Sequence, residues 1–198
     1  MRSRALLSLV LATALLAGCG EKDEPAPKSV GAEERKEETI DKLPDLPRGY
    51  EEFVNPDAGI AFGRPPGWKA KSKGSATTLT APDELVLVSI SADRTDDALA
   101  LDPEGFAEQT AAALEGFKRP LAVAKPKKFE HPYEGAIVEG KGVAKRTGVA
   151  QAVQVIVLER KGAAVVTAVV FENRERNAAA ESKQALEAIG TLRTRPPA

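Results

Sequence analysis

Catalysis needs a nucleophile, a base or a set of metal ligands, and in this chain of 198 residues those groups are scarce. It has one cysteine, Cys19, and one histidine, His131. A lone thiol makes no internal disulfide, and no Cys-x-x-Cys or Cys/His grouping exists to hold zinc. A Ser-His-Asp or Cys-His mechanism would use His131 as base beside a held nucleophile. His131 lies in FEHPYEG just before a strand-like run, and no Gly-x-Ser-x-Gly turn occurs in the chain. It reads as a loop histidine without a catalytic role. The stretch DRTDDALALDPE offers Asp93, Asp96, Asp97, Asp102 and Glu104. Its spacing departs from the Asp-x-Asp-x-Asp-Gly order of a calcium loop, so it reads as solvated loop with Asp102 as a helix cap. EGKGVAKRTG gathers glycines and cations inside a hairpin rather than at a strand-to-helix junction, where phosphate-binding loops occur. No catalytic, cofactor-binding or metal-binding residue is expected.

Cys19 has a different context. Met1-Arg2-Ser3-Arg4 is a short positive segment, Ala5 to Gly18 is uncharged and mostly apolar, and Glu21, Asp23 and Glu24 follow directly. The run is shorter than the roughly 20 residues needed to span a bilayer, so it reads as a secretion signal. Leu16-Ala17-Gly18-Cys19 resembles a bacterial lipobox. By that resemblance the chain is cut between Gly18 and Cys19, and the Cys19 thiol receives a diacylglycerol. Each buried CH₂ contributes about 0.8 kcal/mol, so two or three acyl chains make a lasting membrane anchor. Gly20 follows, where an aspartate would signal inner-membrane retention. The expected location is the outer face of the plasma membrane in a one-membrane host and the outer membrane in a two-membrane host.

Two surface features suggest partners. Lys118, Arg119, Lys125, Lys127 and Lys128 fall in one connection, KRPLAVAKPKK, where cations could meet anionic lipid or cell-wall phosphate. The plainer reading is a solvated loop balanced by acids elsewhere. Trp68, the only tryptophan, could form a platform for a sugar or a protein, against the commoner role of core anchor. Loss of residues 1–18 removes Arg2 and Arg4, leaving 26 basic side chains against 29 acidic ones. Such a balance gives no electrostatic case for nucleic acid.

These residues need a scaffold. Residues 19–48 are polar and interrupted by Pro25, Pro27, Pro44 and Pro47, which reads as the lipidated N-terminus and a disordered tether. Residues 49–198 read as one globular domain, large enough to fold without disulfides or metal. A helix is expected after Asp102, with Pro103 at its first position and Phe106, Thr110, Ala111, Leu114 and Phe117 on its apolar face. A second is expected after Asn177, ending at Gly190. Strands are expected over residues 84–91, 133–144, 149–160 and 163–172, the last three as an antiparallel meander. In 149–160 and 163–172 both alternating sets are apolar. A sheet with one wet face would alternate, so this one is expected to be covered on both faces, one helix on each.

NPDAGIAFGRPPGW, residues 55–68, resembles the opening of the PsbP-like fold. That fold occurs in the photosystem II PsbP subunit, in a nuclear import factor that binds the GTPase Ran, and in exported lipoproteins of the LpqN type. The helix start DPEGF and the closing GTLR, residues 190–193, are also similar. The resemblance implies an α+β domain: an α/β/α sandwich whose mainly antiparallel sheet is covered by helices, and whose relatives mostly bind other proteins. It carries no catalytic residues to transfer. The expectation is a lipid-anchored accessory or binding lipoprotein of the cell envelope, not an enzyme, with no cofactor. Its partners would be the membrane, through Cys19, and an envelope protein or cell-wall component. A small hydrolase using paired carboxylates and a passive structural lipoprotein remain as alternatives.

Overall fold

The computed structural model describes residues 40–94 and 102–195, all within one unit, Glu37–Ala198. Gly18, Cys19, Asp96 and Asp97 lie outside the described residues. In chain order the elements are β1 Glu51–Asn55, β2 Ile60–Arg64, β3 Lys69–Lys73, β4 Ala76–Thr80, β5 Val86–Arg94, α1 Pro103–Ala113, β6 Ala122–Val123, β7 Lys127–Lys128, β8 Glu134–Val143, β9 Ala150–Arg160, β10 Ala164–Asn173, α2 Ala179–Gly190 and β11 Arg193–Thr194. Among the described residues they form a three-stranded sheet, β1-β2-β11, and an eight-stranded sheet whose order is β3-β4-β5-β10-β9-β8-β6, with β7 also on β8.

The large sheet is built around β9 and β10, which pair antiparallel with Val155 opposite Val169 and Ile156 opposite Ala168. Successive strand side chains point to opposite faces. Ile156, Leu158, Val166, Ala168 and Val170 therefore enter one core with Val86, Val88 and Ile90, beneath Ala185 and Ile189 of α2 and Ile60 and Phe62 of the small sheet. Val153, Val155, Val157, Val165 and Val169 enter a second core with Ala136 and Val138, beneath Ala107 and Ala111 of α1. The expected three layers are present, with a second sheet beside α2 that the sequence reading did not foresee. Cover on the α1 side is incomplete among the described residues. That helix packs on β8, β9 and β6, while Leu87, on the same face of β5, is left 38% exposed.

Both helices begin where expected. The Asp102 carboxylate accepts from the Glu104 N–H at 3.1 Å, and Pro103 opens α1. Phe117, however, does not lie on this helix. The chain turns extended at Leu114, and Phe117 is buried beyond it in a bridge to Ala144. Small Ala107 and Ala111 make the close contact with the sheet instead. Asn177 Oδ1 accepts from the Ala179 N–H at 3.3 Å ahead of α2. Gly190 is the last residue of α2 rather than a left-handed stop. The helix is closed by Thr191, whose hydroxyl donates to Ala188 O at 2.7 Å and accepts from Gly63 N–H at 2.8 Å.

Residues 40–48, assigned by composition to the tether, lie against the domain. The Asp41 N–H donates to Thr194 O at 3.3 Å, and its carboxylate pairs with Arg160 at 2.6 Å. Leu46 packs over Gly63, where a Cβ would come within 2.8 Å of Leu46 Cδ2. Ile40, Leu43 and Leu46 recur every third residue and are each half-buried, an apolar stripe hidden by the prolines and charges around it.

Because Ile156 and Val155 point to opposite cores and are 0% and 1% exposed, neither tolerates truncation. Ile156→Ala is expected to cost about 2–5 kcal/mol and Val155→Ala about 1–3 kcal/mol in urea unfolding. Wild-type behaviour in either variant would show that its face is open.

Candidate functional site

Among the described residues, a dense polar cluster lies where β11, the start of β8 and the end of β9 meet residues 40–42. The Tyr133 N–H donates to His131 Nδ1 at 3.0 Å, which leaves the ring proton on Nε2, facing Leu192 O at 3.0 Å. Burial, then the Arg193 guanidinium beside the ring, push the imidazole down to about 4; the bond to Leu192 O opposes them. Tyr133 Oη accepts from the Thr194 N–H at 3.0 Å and from Arg160 at 3.4 Å. Arg160 also donates to Thr194 O at 2.8 Å, lies 5.5 Å from the centre of the Tyr133 ring and pairs with Asp41. Both nitrogens of His131 are engaged by backbone, so the ring is oriented as a brace. A neutral imidazole held this way has no free nitrogen with which to take a substrate proton.

Trp68 is not a surface platform. It is 3% exposed, belongs to the α2-side core, and its Nε1–H donates to Gln184 Oε1 at 3.0 Å. A bulky ring with one satisfied polar tip is well suited to joining a sheet end to a helix. The opening motif is structural too. Asn55, 1% exposed, donates to Gly74 O at 3.0 Å and Thr77 Oγ1 at 2.9 Å, and accepts from the Ala58 N–H at 3.2 Å. One side chain thereby ties the small sheet to the β3–β4 turn.

The glycines of EGKGVAKRTG serve packing. A Cβ at Gly142 would lie 2.7 Å from both Leu121 Cδ2 and Phe117 Cδ1, so the missing side chain is what admits those two residues. Among the acids, Asp93 is exposed and Asp102 caps α1. Glu159 is 6% exposed with Oε2 unpartnered among the described residues. Among those residues no group of three or more His, Cys, Asp and Glu side chains converges.

Two grooves remain. One, of about 590 Å³, runs between residues 40–46 and the outer side of the small sheet, with Val54 45% exposed along it. The other, of about 350 Å³, is lined by Lys118, Arg119, Pro120, Ala122, Lys141, Gly142 and Val143. The structure splits the cations that the sequence groups together. Lys118 and Arg119 join Lys141 of β8 in this groove. Lys127 and Lys128 lie on β7, near Glu139 at 3.4 Å and Glu130 at 3.9 Å, and Lys125 is exposed outside the groove. Lys141 was missed because it reaches the groove only through pairing with Ala122 across β6 and β8.

No protein-family model matches the chain, and no curated protein matches it. Solved structures do. A single-site mutant of Mog1 superposes with a TM-score of 0.51 at 9% identity, over 74% of this chain and 96% of its own. The Ran-binding protein Mog1p of Saccharomyces cerevisiae gives 0.49 at 10% identity, over 72% and 94%. LpqN of Mycobacterium tuberculosis, involved in cell envelope biogenesis, gives 0.49 at 16% identity, over 74% and 91%. A protein of Bacteroides thetaiotaomicron gives 0.48 at 16% identity, over 75% of this chain; the chain spans about half of that protein, 49%. The likeness to Mog1 establishes the α+β fold that the sequence resemblance implied.

Two outcomes follow from the bracing roles. Between about pH 6.5 and pH 4 the unfolded chain binds a proton at His131 that the folded chain refuses, so stability falls as pH drops through that window. In urea unfolding, wild type should lose more stability than His131→Gln between pH 7 and pH 4.5, by on the order of 1–2 kcal/mol because solvent screens the part-exposed ring. Parallel losses would mean that the ring is freely protonated in the fold. Gly142→Ala should cost about 1–3 kcal/mol through collision with Phe117 and Leu121; an unchanged midpoint would contradict the packing role.

Proposed function

We propose that the protein is a lipid-anchored, extracytoplasmic binding or accessory module of a bacterial cell envelope, without catalysis of its own. The anchor is the Cys19 thiol, acylated after cleavage behind Gly18, and the residues up to Thr39 link it to the domain. The observation that best supports a binding role is where the reactive residue types are used. His131 braces β11, Trp68 fills a core, and the glycine-rich hairpin admits Phe117 and Leu121. What is left for contact with other molecules is surface: cations, exposed valines and shallow grooves. A binding use is in keeping with Mog1p, a Ran-binding protein of this fold.

The membrane half of the proposal is tested by Cys19→Ala. Expressed in a bacterial host with radiolabelled palmitate, the wild type should take up label and sediment with membranes. The variant should take up none and move to the soluble fraction. A variant that stays with the membranes would remove the anchor and, with it, the assigned location.

A further inference from the structure

We infer that the groove lined by Lys118, Arg119 and Lys141 binds an anionic chain polymer carrying repeated phosphate groups. Three separate segments bring positive charge to this end of the large sheet. Lys118 and Arg119 come from the connection after α1, Lys141 from β8, and Lys145 and Arg146 from the β8–β9 turn. Backbone bonds hold them together: Lys118 N–H to Val143 O at 2.8 Å and Lys145 N–H to Gly116 O at 2.7 Å. Lys118 Nζ lies over the β8–β9 turn, 3.8 Å from where a Cβ of Gly148 would stand, and Gly148 takes the positive φ of +74° that the turn requires. All five cations are open to water, and none has an ion-pair partner among the described residues. Nearby in sequence, Glu115 is exposed and Glu139 is paired with Lys127. Gathering like charge in a nearly neutral fold raises local repulsion, which a bound anion relieves.

Shape and lining select the kind of anion. The site is concave, so an extended chain can enter it where a planar bilayer would touch only its rim. A phosphodiester keeps its charge and offers oxygens to more than one cation, and the fork of Arg119 and the ammonium of Lys141 both line the groove. Pro120, Ala122 and Val143, the last 38% exposed, lie among the cations and suit the uncharged parts of a repeating unit. This inference adds a partner chemistry to the binding module proposed above and rests on that reading only for where the polymer is met.

The test titrates the full-length protein, in neutral detergent micelles, with linear polyphosphate. Binding should weaken at least about tenfold in Lys118→Glu/Arg119→Glu, with the salt dependence falling by on the order of one unit per cation removed. Lys69→Glu/Lys71→Glu, an equal charge change on the exposed edge strand β3, should stay within about twofold of wild type. Thermal unfolding of each variant shows that the fold is intact. Equal losses in both pairs would reduce the site to general charge attraction and overturn the inference, as would an absence of binding. If micelles doped with phosphatidylglycerol engage the groove and polyphosphate does not, the ligand is a bilayer headgroup and the polymer assignment fails. The anchor plays no part in this titration, so its failure shows only in the Cys19→Ala fractionation.

Discussion

The antiparallel pairing of β9 with β10 is the constraint to which the rest of the chain answers. Both strands are apolar on both alternating sets, so their side chains must leave water in two directions at once. Each fully buried valine or isoleucine contributes about 1.5–3 kcal/mol, and no single layer collects both sets. On one side, α1 presents alanines and lies close to the sheet. On the other, α2 shares the work with the small sheet, and Ile60, Phe62 and Trp68 complete a core that a helix of 12 residues does not cover alone.

The small sheet in turn explains the polar cluster. β11 must be held over the end of the large sheet after α2 closes, and Leu192 O, Thr194 N and Thr194 O are each met by a side chain from β9 or the segment before β8. Residues 40–42 then add to β11 from outside, with Asp41 neutralising an Arg160 whose side chain is only 18% exposed. A half-buried guanidinium without its carboxylate would carry a desolvation penalty, so the segment arriving from the N-terminus is part of the domain's edge. The two ends of β8 and β9 thereby acquire opposite characters. One is a knot of hydrogen-bonded groups around the Asp41–Arg160 pair. The other, at the Lys145–Gly148 turn, is open and positive.

Much of this was legible in the sequence because it is local. The Asp102 cap with Pro103, the two-sided apolar strands and the turn glycines act over a few residues, and each stands where the pattern placed it. The departures are instructive for the same reason. Phe117 follows the helical period of Phe106 and Leu114, yet the helix ends before it because Gly142 offers a recess on β8 and the bridge to Ala144 holds the chain there. Ile40, Leu43 and Leu46 were masked by Pro44, Pro47 and the charges between them, since composition averages over a stripe that only a facing surface reveals. Trp68 was open to two uses until a core formed around it.

The sequence by itself determined the two helix starts, the four long strands of the central sheet and that sheet's need of cover on both faces, because capping, strand alternation and turn geometry are decided by neighbours along the chain. Only the tertiary structure decided what meets what. Gly63 and Thr191 are 128 residues apart and joined by one hydrogen bond; His131 bonds to a carbonyl 61 residues away. Lys141 reaches Lys118 and Arg119 only through strand register, while Lys125, Lys127 and Lys128, closer in sequence, are carried elsewhere. Contacts of that range depend on the packing of the whole chain, and no run of adjacent residues encodes them.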